Sequence, residues 1–80
     1  MEKKVRFDRY AKRRMKWRKI SEEEVRLTMS NPDKMETSIK GRINVYKIIG
    51  KKYIKVTYKE QPCEILVISV VDKSKGEEKL

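Results

Sequence analysis

The chain reads as one α+β domain: a short N-terminal strand, two helices, then a mainly antiparallel meander of three or four strands. Three observations predict it. Ser21 and Glu24 have capping-box spacing ahead of a helical stretch that Asn31-Pro32 stops. Gly50-Lys51 separates two segments that alternate apolar and polar residues, the sign of a tight hairpin. Glu64 to Val71 is then a near-continuous apolar run, as expected of a strand buried on much of both faces. The 80 residues suffice for one domain. Its core is thin, since a chain of this size buries only about 60% of its unfolded surface. Residues 1–72 are expected to form the domain and residues 73–80 a polar, disordered tail.

The elements follow in order. KKVRF, Lys3 to Phe7, alternates apolar and basic residues and predicts the first strand. Asp8 is placed to cap the helix that follows. From Arg9 to Arg18 the residues are strong helix formers. Ala11 and Met15, four apart, face the core, and Tyr10, Arg14 and Trp17 make a neighbouring stripe. Arg9, Lys12, Arg13 and Lys16 are left to solvent. In the second helix, Ile20 before the cap and Val25 after it predict a hydrophobic staple. Glu22, Glu23 and Glu24 complement the positive helix start, which explains the acidic triplet better than a metal site does. Met35, Thr37 and Ile39 alternate as a strand, Lys40-Gly41 marks a turn, and Gln61-Pro62 turns the hairpin into the last strand.

Composition limits the chemistry. There is no histidine, which removes the usual general acid/base, the usual zinc ligand and every Ser-His-Asp or Cys-His device. Three scattered glycines supply no phosphate loop. Cys63 has no second cysteine to pair with, which fits a reducing compartment. No apolar run is long enough to span a bilayer and no signal-peptide pattern opens the chain, so a cytoplasmic protein with no membrane association is expected. No cofactor and no metal are expected either.

Charge is the strongest functional signal. Of the net charge of +10, the first twenty residues carry +8, and the remainder is nearly neutral. A basic helix with Tyr10 and Trp17 set into it suits a polyanion: RNA, DNA or an acidic protein. The hairpin predicts a second candidate surface. With Gly50-Lys51 as the turn, Ile49 opposes Lys52, Val45 opposes Val56, Ile43 opposes Tyr58 and Lys47 opposes Ile54, a mostly apolar face that should meet the helices. The other face carries Arg42, Asn44 and Tyr46 opposite Lys59, Thr57 and Lys55, with Ile48 opposite Tyr53. It fits either a solvated sheet face or a ligand surface.

FDRYAKRRMKWRKISEEEVRLTMSNPD, KGRINVYKIIGKKYIKVTYKE and EILVISVV together resemble a family of small, uncharacterised bacterial and archaeal proteins related to the RelE/ParE toxin superfamily. The matching positions are Ala11, Arg14, Met15, Ile20, Ser21, Glu22, Glu23, Val25, Asn31, Pro32, Gly41, Arg42 and Tyr46. Two positions depart from the pattern: Tyr10 stands where the family has histidine, and Val71 where a tyrosine often ends the last strand. The resemblance implies a RelE/ParE-like fold over residues 7–71. RelE-like toxins cut messenger RNA on the ribosome, ParE-like ones inhibit gyrase by binding, and both pair with an acidic-tailed antitoxin.

Three readings follow. In a toxin-like endoribonuclease, Arg42, Lys55 and Arg14 would stabilise phosphate charge, and Tyr46 or Tyr53 would move a proton or stack on a base. A non-catalytic nucleic-acid-binding module would use Arg9, Tyr10, Lys12, Arg13, Lys16 and Trp17, with Tyr53 and Lys59 from the sheet. A protein-interaction module would bind an acidic partner.

Overall fold

The computed structural model describes residues 4–75. Strand β1 (Lys4–Phe7) leads through Asp8 into helix α1 (Arg9–Arg18), and helix α2 (Glu22–Ser30) follows. Strands β2 (Lys34–Thr37), β3 (Arg42–Ile49), β4 (Lys52–Glu60) and β5 (Glu64–Asp72) then complete one sheet in the order β1-β5-β4-β3-β2. The four later strands form an antiparallel meander, and β1 joins its last strand in parallel. Lys3, expected in the first strand, lies outside the described residues.

Both helices lie on one side of this sheet. Ala11, Met15 and Val25 pack with Val45, Ile54, Val56, Tyr58, Val67 and Val70 in a single core. The hairpin register is the expected one at every named pair, from Ile49 opposite Lys52 out to Arg42 opposite Lys59. Gly50 alone of the two turn residues has positive φ, at 61°, as a type II′ turn requires of its first central residue.

The capping box is present in full. The Glu24 N–H donates to the Ser21 Oγ at 3.1 Å, and the Ser21 N–H donates to the Glu24 Oε1 at 3.0 Å. Ile20 and Val25 are both buried in the core, as the staple expects. The cap of α1 differs from expectation. Asp8 holds the N-cap position, but its side chain makes no capping bond. Its backbone fixes the helix start instead: its N–H donates to the Val67 carbonyl and its carbonyl accepts from the Lys12 N–H, both at 2.9 Å. Parallel pairing of β1 with β5 therefore aims the helix.

Two further expectations are corrected, and one strand gains a detail. The strand containing Met35 and Thr37 does not continue to Ile39, because Ile39–Gly41 turn in a 3-10 segment with positive φ at Lys40 and Gly41. Met35 is on the helix side of the sheet yet exposed, since α2 packs over β3 and β4 and stops short of the β2 edge. The apolar run of β5 is buried or half-buried along its whole length, as expected, and it also carries a bulge. Thr57 faces Ser69 but Tyr58 faces Val67, so Ile68 is an extra residue, and Val67 and Val70 both point into the core. Finally, the expected tail begins in order: Lys73–Lys75 form a 3-10 turn in which the Ser74 N–H and hydroxyl donate to the Asp72 Oδ1 at 3.0 and 2.6 Å. The rest of that tail, 76–80, lies outside the described residues.

Candidate nucleic-acid interface

The first candidate surface is the solvent side of α1. Burying Ala11 and Met15 leaves Arg9, Lys12, Arg13 and Lys16 exposed, as expected. Tyr10 and Trp17 are also exposed, at 50% and 71%. Arg14 lies between them. Its Nε and Nη2 donate to the Tyr10 hydroxyl at 3.1 and 2.8 Å, and its guanidinium carbon is 5.9 Å from the centre of the Trp17 ring. The Arg18 guanidinium carbon also lies over the Trp17 ring, 5.5 Å from its centre. The buried Arg18 Nε has no hydrogen-bond partner among the described residues. The sequence from Arg9 to Ile20 contains no acid, so nothing within the helix neutralises this surface. Guanidinium groups thus lie over both exposed rings, which sets aromatic surface among cations.

The second surface is the sheet face opposite the helices. No helix of the described residues covers it. Register puts Arg42, Tyr46, Tyr53, Lys55 and Lys59 on this side, as expected, and adds Lys34 and Glu36 from β2. Tyr46 is 9% exposed, far less open than a freely solvated face allows. Its hydroxyl donates to the Glu36 Oε1 at 3.0 Å, its ring centre is 5.8 Å from that of Tyr53, and the Lys34 and Lys55 ammonium groups lie 5.4 and 5.9 Å from the ring centre. Burial raises the Tyr46 pKa above the ordinary phenol value, and the Glu36 carboxylate raises it further. The shift works against a role as a base, and the hydroxyl acts here as a hydrogen-bond donor to Glu36. Glu36 is held below the ordinary carboxylate range by the Tyr46 hydroxyl and by Lys34.

The two surfaces do not meet. Arg14, grouped by sequence with Arg42, Tyr46 and Lys55, sits in the helix layer on the other side of the sheet. Even within the sheet face, Arg42 is four residues from Tyr46 on β3, about 13 Å at the ordinary strand rise. Sequence reasoning missed Arg18, Lys34 and Glu36. Arg18 was findable, because it follows Arg14 by one helical turn. Lys34 and Glu36 required the β2–β3 register, which no two-residue turn announces. Comparison with protein-family models, with curated proteins and with solved structures finds no match to this chain.

Proposed function

We propose that this protein is an RNA-binding domain that engages unpaired strands through α1. The observation that carries this reading is the row Tyr10–Arg14–Trp17–Arg18, in which exposed aromatic rings alternate with guanidinium groups on an acid-free helix. A tryptophan this exposed contributes little to the core, and its ring is large, apolar and sequence-tolerant as a base-stacking platform. The surrounding cations supply the phosphate attraction. RNA is preferred to DNA on the resemblance to RelE/ParE toxins, which would also place the protein in the cytoplasm and near ribosomes. An acidic antitoxin-like chain would compete with RNA for the same helix.

Binding is favoured over cleavage. Arg14 lies across the sheet from Arg42, Tyr46 and Lys55, and the Tyr46 hydroxyl is already engaged by the Glu36 carboxylate. RNA incubated with the protein, alone and with ribosomes, is therefore expected to remain intact, and specific cleavage products would overturn the non-catalytic reading. Direct titration of an unstructured RNA tests the binding itself. Arg13→Glu with Lys16→Glu should weaken affinity for all sequences and make log affinity less steep against log salt, by about 0.7 for each phosphate of a single strand that the protein ceases to neutralise. Trp17→Ala should cost about 1–3 kcal/mol by removing a stacking platform while leaving the salt slope in place. Equal affinity in all three proteins would refute the role of α1.

A further inference from the structure

The sheet face carries an arrangement that the α1 reading does not use. Arg42 and Lys59 are directly opposite one another on β3 and β4, and both are exposed. Like charges so placed repel, and a cross-strand pair of this kind destabilises a sheet unless an anion lies between the two. The carboxylates on the same face are engaged elsewhere: Glu64 takes the Arg6 guanidinium at 2.7 Å, and Glu36 takes Lys34 at 3.4 Å and the Tyr46 hydroxyl. Among the described residues the side chains of Arg42 and Lys59 form no hydrogen bond or ion pair, although the Arg42 carbonyl accepts from the Ser38 N–H. Next to them, Thr57 and Asn44 satisfy each other at 2.7 Å, and beyond these lie the paired rings of Tyr46 and Tyr53 with Lys55 above. An anion-seeking pair at one end of the face and aromatic rings at the other suit a strand of alternating phosphates and bases.

We infer that this face is a second single-strand RNA surface, and that one chain holds two RNA strands at once, one on α1 and one on the sheet. This rests on the α1 reading above. The sheet stands between the two surfaces, so an RNA stacked on Trp17 faces away from Arg42 and Lys59. Binding at the two sites is then independent, and the protein tethers strands, which raises the concentration of one around the other.

The test uses the whole chain and a short unstructured RNA in two forms, one tethered to beads and one fluorescent. Wild-type protein should retain the fluorescent RNA on the beads, with retention rising to a maximum and falling once protein exceeds RNA. Calorimetric titration should reach two strands per chain. Arg42→Glu with Lys59→Glu should bring retention to the protein-free level and leave one strand per chain. Arg42→Gln with Lys59→Gln should fall between the two, and unchanged thermal midpoints show that all variants are folded. Saturation of the wild type at one strand per chain overturns the inference. So does retention that survives Arg42→Glu with Lys59→Glu, because self-association would then be doing the tethering. Failure of the α1 reading has its own signature: Arg13→Glu with Lys16→Glu would still bind two strands.

Discussion

At the residue scale, two side chains show how position sets chemistry. Ser21 acts through geometry alone: its hydroxyl satisfies one donor that every helix start leaves open. Ser21→Ala removes that bond and should lower stability by about 1 kcal/mol, read as a lower denaturant midpoint with an unchanged slope. An unchanged midpoint would mean that the bond contributes nothing net. Tyr46 acts through its surroundings. Its burial was not legible in the sequence, because a tyrosine on the polar side of a hairpin looks solvated until β2 is laid beside it. Once Lys34 and Glu36 flank the ring, the phenol loses water and gains a carboxylate, and both effects disfavour the phenolate. In an alkaline absorbance titration, two tyrosines, Tyr46 and Tyr58, should ionise above the ordinary range in the wild type. Glu36→Gln should bring the Tyr46 midpoint down, because the negative charge facing the hydroxyl is gone. Tyr58, which burial also pushes up, should keep its own high midpoint in that variant. Coincident titration curves for the two proteins would show that Glu36 does not control Tyr46.

At the scale of elements, strands that carry strict alternation on both sides of a glycine were legible to the residue, and strands lacking that signal were not. The β3–β4 register follows from Gly50 and from the cost of turning Val45, Ile54 and Val56 out into water. Gly50→Ala places a side chain at positive φ and should destabilise the protein by about 1–2 kcal/mol, although no atom lies within 4 Å of the added Cβ. A denaturation midpoint equal to the wild type's would show that the turn relaxes into another form at no cost. By contrast, β2 is a short edge strand whose four residues are all exposed, so burial does little to fix where it ends. The β5 bulge is invisible in a run of apolar residues, because either face of such a run is equally willing to be buried. Helix α1 shows the limit of reading faces one element at a time. Its stripe of Tyr10, Arg14 and Trp17 was legible from helical spacing, but the side of the sheet on which that stripe lies was not. That one unknown is why sequence alone groups Arg14 with residues it cannot approach.

At the scale of the whole molecule, a thin core is reinforced by a polar tie that links three parts of the chain. The Lys52 ammonium on β4 donates to the Lys19 carbonyl at 2.7 Å, in the turn between the helices, and to the Glu24 Oε1 at 3.1 Å on α2. Burial alone would raise the Glu24 pKa, but the Ser21 N–H and Lys52 outweigh it and leave the carboxyl below its ordinary value. A carboxyl whose pKa is lower folded than unfolded stabilises the fold fully above the unfolded value, about 4.3. That contribution disappears as the pH falls through the lower, folded value. Glu24→Gln keeps an oxygen for the Ser21 N–H and removes the charge from Lys52, so it isolates the ionic part of the tie. Near pH 6 the wild type should be the more stable of the two. The gap should narrow from about pH 5 downward and close in more acid solution, where Glu24 is protonated in both states. Because Glu24 and Lys52 keep about a quarter of their side-chain surface in water, added salt should narrow the gap at neutral pH as well. Glu36 and Glu64 have pKa values lowered in the same direction and are present in both proteins, so their acid loss cancels in the comparison. A gap between the urea midpoints that stays constant from pH 6 to pH 3 would show that Lys52 holds the helix turn through its bond to the Lys19 carbonyl alone.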